Sequence, residues 1–320
     1  MKRNVLKSLT LMMALCAALP VQAQSYPSKP VRMVVPFPVG TGTDMGARLL
    51  AQQLQATTGQ PFVVDNKPGA SGSIGAMEVV RAAPDGYTLL FASNSAAASN
   101  VALLKSMPYD PSRDLTPIAG FADSLLALMV RADHPARTLD EFLAHVAQRP
   151  GKISAGYGSA SSQVSIAVLN KLARLEVLAV PYKGIPLAVN DTIGGIVDFT
   201  FVDMGNAIAQ SRGGKMRALG VTAAKPSGLM PEWRALGERL PGFDISAWLA
   251  VLGPAGMPAD VVDKLSAAIV SIVSAPEMRD KLVSTGMVPM PMSSERLGRF
   301  VPSEIAKWKQ WVKDANIQPE

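Results

Sequence analysis

The clearest chemical signal in this chain is the segment Val34-Val35-Pro36-Phe37-Pro38-Val39-Gly40-Thr41-Gly42-Thr43-Asp44. An apolar run leads into a glycine-rich turn and then into a helical pattern. Free amide groups at a helix N-terminus, with the positive end of the helix dipole, can hold a carboxylate or a phosphate. Glycines also serve the backbone shape of ordinary strand-to-helix turns. The segment therefore predicts an anion site or a plain turn, and both interpretations stay open at this point.

Other turns of the same composition follow other apolar runs. Ser71 lies in a glycine-rich turn, Ser93-Asn94-Ser95 follows a strand-like run, and Ser159-Ala160-Ser161-Ser162 leads from another run into a helical pattern. Together such turns could present amides and hydroxyls around one oxyanion, although turns are commonly built from these residues anyway. Tyr182 is expected to form a cleft wall. Asp203 could accept from a ligand amine, hydroxyl or water, or be a solvated loop charge.

Three other kinds of site have weaker support in the sequence. A dinucleotide site is suggested by Gly40, Gly42 and Asp65, but Met45 stands where the fingerprint requires glycine or alanine. A hydrolase would use Ser159 or Ser71, and neither lies in a clean nucleophile-elbow pattern. The two histidines, His134 and His145, are expected at the surface, and their spacing predicts no metal site.

The elements that would position these turns alternate between short apolar runs and longer helical patterns, which predicts βα units and mainly parallel sheets. The predicted strands are Val31 to Phe37, Phe62 to Asp65, Tyr87 to Ala92, Leu126 to Arg131, Ile153 to Tyr157, Leu178 to Tyr182, Val197 to Val202 and Arg217 to Thr222. Helices are predicted from Asp44 to Gln55, from a Thr138–Glu141 capping box to about Gln148, and along the face formed by Val261, Val262, Leu265, Ile269 and Ile272. We expect Gly286 to end the helix that follows. The fold class is α/β.

The N-terminus predicts export. Lys2, Arg3 and Lys7 precede the apolar run Leu9 to Leu19, and Val21-Gln22-Ala23 follows it. This is the order of a secretory signal peptide, and we expect cleavage between Ala23 and Gln24. Cleavage would remove the chain's one cysteine and lower the formal net charge from +6 to +3. The mature chain would then have no disulfide and no cationic cluster that suggests nucleic acid.

About 297 residues would remain, enough for two domains at roughly 150 residues each. Strand-like runs around Leu125 to Arg131 and Ser246 to Gly253 could be paired crossings between them. The expected division is residues 24–125 with 245–320 as a discontinuous first domain and 126–244 as the second. Because ligands bind beyond the carboxyl ends of strands in open α/β sheets, we expect a cleft between the two.

A series of short phrases, in order along the whole mature chain, resembles the Bug-type substrate-binding proteins of tripartite tricarboxylate transporters. The matching phrases are Tyr26-Pro27-Ser28-Lys29-Pro30, Val35-Pro36-Phe37-Pro38, Thr43-Asp44, Asn66-Lys67-Pro68-Gly69-Ala70, Ala83-Pro84-Asp85-Gly86-Tyr87-Thr88-Leu89, Met107-Pro108-Tyr109-Asp110, Val180-Pro181-Tyr182-Lys183-Gly184, Gly194-Gly195, Arg217-Ala218-Leu219, Trp248 and Pro254-Ala255-Gly256-Met257-Pro258. Any one phrase is weak, but the ordered series is specific.

The resemblance implies a two-domain, type II-like periplasmic binding fold that closes on a carboxylated ligand and delivers it to a membrane permease. We expect a monomer in the periplasm that needs no cofactor, has no catalytic residue and binds no nucleic acid. The ligand contacts that the resemblance implies are Phe37, Pro38, Val39, Gly40, Thr41, Gly42, Thr43, Asp44, Ser71, Ser93, Asn94, Ser95, Ser159, Ala160, Ser161, Ser162, Tyr182 and Asp203.

This chain departs from the family pattern at two places. Thr41 stands where a second consecutive glycine is common, and Ala96-Ala97 replaces a frequent Thr-His pair. The ligand class therefore stays open among aspartate-like, aromatic and tricarboxylic acids. The partner also stays open, since a ligand-dependent sensor component that binds a membrane receptor is an alternative to a transporter subunit.

Overall fold

The structure is a computed structural model that describes residues 26–226, 230–314 and 317–319. The predicted signal peptide, Met1 to Ala23, lies outside the described residues. The strands are β1 Val31–Val35, β2 Phe62–Asn66, β3 Thr88–Ser93, β4 Leu115–Arg131, β5 Ile153–Tyr157, β6 Val177–Pro181, β7 Phe199–Asp203, β8 Met216–Val221, β9 Ser246–Pro254 and β10 Met287–Pro289. The α-helices are α1 Gly42–Thr58, α2 Ser73–Val80, α3 Asn100–Leu103, α4 Leu139–Ala147, α5 Ala160–Ala173, α6 Ile185–Ile193, α7 Met204–Arg212, α8 Leu236–Arg239, α9 Ala259–Ser274, α10 Pro276–Ser284 and α11 Ser294–Asp314.

Each predicted strand corresponds to a strand of the structure, and the differences lie at the ends. β1 ends at Val35, before the predicted Phe37, and Pro36 has no N–H to continue the ladder. β4 begins at Leu115, eleven residues before the predicted start at Leu126. The short β10 was not predicted, because three residues carry too little alternation to be recognised.

The α/β class is confirmed, and the parallel pairs lie in two groups of strands. β1 lies between β2 and β3 in one group, and β5 lies between β6 and β7 in the other. β4 and β9 are antiparallel to their neighbours and join the groups, which gives the order β2-β1-β3-β9-β4-β7-β5-β6. β8 and β10 pair with β4 outside that path. All ten strands of the described residues therefore belong to one continuous sheet.

The two runs expected as crossings, around Leu125 and Ser246, are adjacent in the sheet. β4 pairs with β9 as far as Leu125, which lies opposite Ser246. From Leu126 onward β4 pairs with β7 and β8 instead. The division into residues 24–125 with 245–320 and residues 126–244 stays a prediction.

Local sequence signals explain where the main helices begin and end. Thr41 caps α1, and Gly59, with a φ of 72°, ends it in the left-handed region. The predicted face of α9 is confirmed, since all five of its residues are buried. Gly286, with a φ of 76°, follows α10 as expected.

The predicted capping box at α4 is only half formed. Thr138 accepts a hydrogen bond from the Glu141 amide at 3.2 Å, as a cap should. The Glu141 carboxylate, however, accepts from the Arg137 amide at 2.7 Å instead of the Thr138 amide. The return bond of the box is thus displaced by one residue toward the N-terminus, while α4 still begins where expected.

Apolar side chains bury both faces of the sheet. One cluster joins β1, β3 and β9 to α1 and α9, and includes Phe91 and Phe121 in edge-to-face contact with ring centroids 5.2 Å apart. A second, larger cluster continues across both groups of strands and under α11. Over the described residues, no helix is both long enough and apolar enough to cross a membrane.

Candidate ligand-binding site

A cavity lies at the carboxyl ends of β1, β3, β5 and β7, and also touches the middle of β4 and β9. It leaves about 50 Å³ for the centres of water-sized molecules. Its lining residues come from both groups of strands: Phe37, Thr41, Gly42, Thr43, Ser93, Asn94, Ser95, Ser124, Leu126, Gly158, Ser159, Ser161, Ile185, Asp203, Ala247, Leu249 and Met287. The position agrees with the rule that open α/β sheets bind ligands beyond the carboxyl ends of their strands.

The glycine-rich turn after β1 brings the N-terminus of α1 to one wall of the cavity. Thr41 Oγ1 accepts from the Asp44 amide at 3.2 Å and donates to the Pro38 carbonyl at 2.9 Å. Its hydroxyl is therefore used within the turn, while its side chain still lines the cavity. Gly40 has a φ of 83°, which favours glycine there.

Asp44 holds this turn together from behind. Its carboxylate accepts from the Gly40 amide at 3.0 Å and from Asn66 Nδ2 at 2.9 Å, and it pairs with Arg48. Burial alone would raise the pKa of Asp44, but the hydrogen bonds from Arg48, Gly40 and Asn66 outweigh it and hold the pKa below its ordinary value. Asp44 does not line the cavity, so its role in the structure is to position the turn.

The opposite wall is the N-terminus of α5. Ser159 Oγ accepts from the Ser162 amide at 3.2 Å, and Ser162 Oγ accepts from the Ser159 amide at 3.1 Å, so the two serines form a reciprocal capping box. Ser162 Oγ also accepts from the Gly158 amide at 3.1 Å. Both serine hydroxyls are thereby held in fixed positions at the start of the helix.

Side chains of the two groups of strands meet around the cavity. Ser95 Oγ accepts from the Ala160 amide, the first of α5, at 3.2 Å. Asn94 Nδ2 donates to Ser161 Oγ at 3.0 Å. On the other side, Asn206 Nδ2 donates to the Gly40 carbonyl at 3.0 Å. These bonds bring both walls into direct contact, which is the arrangement of a closed cleft.

Asp203, at the end of β7, lies against the first residue of α1. The Gly42 amide donates to its carboxylate, and a Cβ placed on Gly42 would lie 3.2 Å from Asp203 Oδ1. Asp203 also caps α7 by accepting from the Asn206 amide at 3.2 Å, and it accepts from Asn206 Nδ2 at 3.0 Å. Burial raises the pKa of Asp203, and the hydrogen bonds from Asn206 and Gly42 lower it by less.

Ten of the predicted contacts line the cavity: Phe37, Thr41, Gly42, Thr43, Ser93, Asn94, Ser95, Ser159, Ser161 and Asp203. Eight do not: Pro38, Val39, Gly40, Asp44, Ser71, Ala160, Ser162 and Tyr182. The Tyr182 hydroxyl donates to Asp191 Oδ2 at 2.7 Å, and burial is the largest of the causes that raise its pKa to about 12. Ser71 lies in a left-handed turn, with a φ of 51°.

Seven further lining residues were not predicted: Ser124, Leu126, Gly158, Ile185, Ala247, Leu249 and Met287. Four of them lie inside β4 and β9, where the residue types look like ordinary strand positions. Gly158 is the exception, because it stands one residue before the predicted turn serines and could have been included with them. Ala96 and Ala97, the second departure from the family pattern, are fully buried and do not line the cavity.

Three residues that bear on a dinucleotide or metal site, Asp65, His134 and His145, do not line the cavity. Asp65, the candidate for a ribose contact, accepts from Arg32 Nε at 2.8 Å. The rings of His134 and His145 lie 5.0 Å apart at α4, and neither residue lines the cavity. In the part of the chain that the structure describes, no group of three or more His, Cys, Asp or Glu side chains could hold a metal ion.

Comparison with known proteins agrees with this geometry. The family model described as "Tripartite tricarboxylate transporter family receptor" matches residues 46–317. Protein BugT of Bordetella pertussis (strain Tohama I) is 33% identical over 307 residues, which cover 94% of each chain. The structure of R. palustris Rpa4515 with adipate has a TM-score of 0.90 at 31% identity, and covers 92% of this chain and 100% of that one. The structure of MatC (Rpa3494) of Rhodopseudomonas palustris with bound malate has a TM-score of 0.83 at 31% identity, and covers 90% of this chain and 100% of that one.

The fold and the cleft define an extracytoplasmic solute-binding receptor. Within that class, the chain belongs to the tripartite tricarboxylate transporter receptor family.

Proposed function

We propose that this receptor captures a small carboxylate in the cavity between α1 and α5 and delivers it to a membrane permease. The observation that carries the proposal is that two helix N-termini face one cavity, and hydroxyl and amide side chains surround it. First-turn amides have no carbonyl acceptor within their own helix, so they favour an anion. The relatives with adipate and with malate support a carboxylate as that anion.

We propose the 18 predicted residues as the neighbourhood of the ligand, in three groups. The ten that line the cavity would contact the ligand. Gly40, Asp44, Ala160 and Ser162 would act through the turns, since their hydrogen bonds hold Gly42 and Ser159 in place. Pro38, Val39, Ser71 and Tyr182 would approach a ligand only in a more open form of the cleft.

Closure couples binding to delivery. A ligand that contacts α1 on one wall and α5 on the other stabilises the closed form relative to the open one, because only the closed form offers both sets of contacts. A permease that recognises the closed form would then receive loaded receptor. The division of the chain at β4 and β9 is the one that such a movement requires.

Export completes the proposal. The predicted signal peptide, cut after Ala23, would bring the mature chain to the periplasm, where the family's receptors act. Intact mass spectrometry of the purified periplasmic protein tests the cleavage site, because its mass shows where the chain begins.

The binding test is a thermal-shift panel of mono-, di- and tricarboxylates and carboxylated aromatics with the mature protein. A ligand at 100 times its dissociation constant should stabilise the protein by about 2.7 kcal/mol. Thr43→Trp should abolish the shift, because Thr43 lines the cavity and is buried. Thr57→Trp is the matched control, since Thr57 is exposed near the other end of α1. A folded protein that shifts with none of the panel would refute a carboxylate ligand.

Two alternatives have their own tests. A sensor component would be recovered from membranes with a receptor instead of a permease, in a pull-down with ligand-loaded protein. A hydrolase would turn over esters and lose activity on substitution of Ser159 or Ser71. The cavity offers Ser159 no histidine base, and its Oγ is held by Ser162, so the hydrolase has little structural support.

A further inference from the structure

The charge of the cavity is unusual for a site that takes an anion. Among the described residues that line it, the one ionisable side chain is Asp203, and no Lys, Arg or His lines it. A carboxylate ligand is therefore expected to rely on neutral amides and hydroxyls, while the nearest full charge in the wall is negative. A ligand with only an anionic group would bring no cationic partner for the Asp203 carboxylate.

The hydrogen bonds that Asp203 accepts all come from neutral groups. Its donors are its own backbone amide, the Gly42 amide, the Asn206 amide and Asn206 Nδ2, and all of them are neutral. Burial still raises the pKa of Asp203 above its ordinary value, so these donors do not replace the solvation that the carboxylate loses. A positive charge beside it would supply what is missing.

The position of Asp203 also limits where a ligand carboxylate can bind. Its carboxylate accepts a hydrogen bond from the Gly42 amide, the first of α1. It lies so close that a Cβ on Gly42 would be 3.2 Å from Oδ1. A ligand carboxylate on the neighbouring amides and hydroxyls would lie close to Asp203. Two negative charges at such a distance repel, whereas a ligand with a cationic group next to its carboxylate would satisfy both the α1 N-terminus and Asp203.

We propose that Asp203 receives a protonated amine of the ligand, so that the cavity selects an amino acid over the same carboxylate without an amine. The inference rests on the proposed function and narrows its substrate class. A hydroxyl at the same carbon also donates a hydrogen bond, but it carries no charge to balance the aspartate. The amine should therefore be preferred over both hydrogen and hydroxyl at that carbon.

Matched ligands test this directly by isothermal titration calorimetry at neutral pH. Succinate, malate and aspartate share a four-carbon diacid and differ in one substituent, and glutarate, 2-hydroxyglutarate and glutamate repeat the comparison one carbon longer. Propionate, lactate and alanine repeat it without the second carboxylate. In at least one series, the amino acid should bind the wild-type protein at least about tenfold more tightly than its two analogues.

Asp203→Asn keeps the oxygen that caps α7 but removes the charge. It should weaken binding of the amino acid more than it weakens binding of the plain carboxylate, and so reduce the preference to within about threefold. Asn190→Ala, an exposed side chain on α6 outside the cavity, should leave the preference unchanged.

The inference is overturned if the plain or hydroxylated acids bind wild-type protein as tightly as the amino acids, or if Asp203→Asn leaves the ratio unaltered. The wild-type comparison decides the matter even if Asp203→Asn does not fold. Binding of carboxylates without a preference for the amine would refute only this inference, whereas binding of no carboxylate, with or without an amine, would refute the proposed function as well.

Discussion

Three aspartates of this protein have pKa values that move in different directions for identifiable reasons. Asp44 is held low by Arg48, Gly40 and Asn66, which together outweigh its burial. Asp203 is raised by burial beside neutral donors. Asp123, on β4 opposite Trp248, is raised to about 6 by burial, and its bonds from Ser246 and the Ser124 amide do not offset this. Each carboxylate thus links pH to a different part of the molecule.

The raised pKa of Asp123 predicts that the stability of the folded protein depends on pH. The folded protein binds a proton at Asp123 more tightly than the unfolded chain does, so the free energy of unfolding should fall as pH rises from about 4 to about 6. The loss is up to about 3 kcal/mol at 1.36 kcal/mol for each pKa unit. Lys307 and Glu304 also face this group, and they act on its pKa in opposite directions.

Urea unfolding of wild-type protein and Asp123→Asn between pH 4 and pH 7 measures this contribution. The difference between the two curves isolates Asp123 from other groups that titrate. A substituted protein that keeps the wild-type slope would mean that Asp123 does not carry it.

At the scale of elements, glycines decide how closely neighbouring segments approach. Gly158, between β5 and α5, has the backbone of Gly184 and Ile185 so near that a Cβ would overlap it. Gly298, inside α11, has open space where its Cβ would be, and no positive φ. The first glycine permits the walls of the cavity to be formed, whereas the second serves no packing purpose in the described structure.

Alanine at the two positions should therefore act in opposite directions. Gly158→Ala should destabilise the protein by several kcal/mol, because backbone atoms would have to move. Gly298→Ala should stabilise it by about 0.5–1 kcal/mol, the usual gain of alanine over glycine within a helix. Chemical denaturation of both variants checks the pair, and a neutral Gly158→Ala would show that the α5–α6 approach is looser than described.

At the scale of the whole molecule, β4 and β9 connect the two groups of strands, and the walls of the cavity meet through few side chains. Asn206 is one of these, since its Nδ2 donates to the Gly40 carbonyl on the opposite wall as well as to the neighbouring Asp203. A closed form held by so few bonds is suited to opening, because each contributes only about 1 kcal/mol. Ligand contacts of similar energy can then shift the equilibrium between the open and closed forms.

Asn206→Ala should weaken binding of the tightest ligand from the thermal-shift panel by about threefold to tenfold, because the closed form loses the bond to the Gly40 carbonyl. Calorimetry gives the affinity, and small-angle X-ray scattering with saturating ligand gives the compactness of the bound form. Asn190→Ala on α6 serves as the control with wild-type affinity. Unchanged affinity in Asn206→Ala would mean that this contact does not contribute to closure.

Sequence patterns alone were enough to predict the α/β class, every described strand except β10, and a few helices such as α1, α4 and α9, because apolar alternation, caps and glycines act over a few neighbouring residues. The tertiary fold determines which turns meet. It brings Asp203 onto Gly42 and Ser95 onto Ala160, leaves Tyr182 and Ser71 outside the cavity, and adds wall residues from β4 and β9. Those contacts join residues 65 or more positions apart, as Ser95 and Ala160 are, and no local pattern encodes them. Their geometry follows from how the strands are ordered in the sheet.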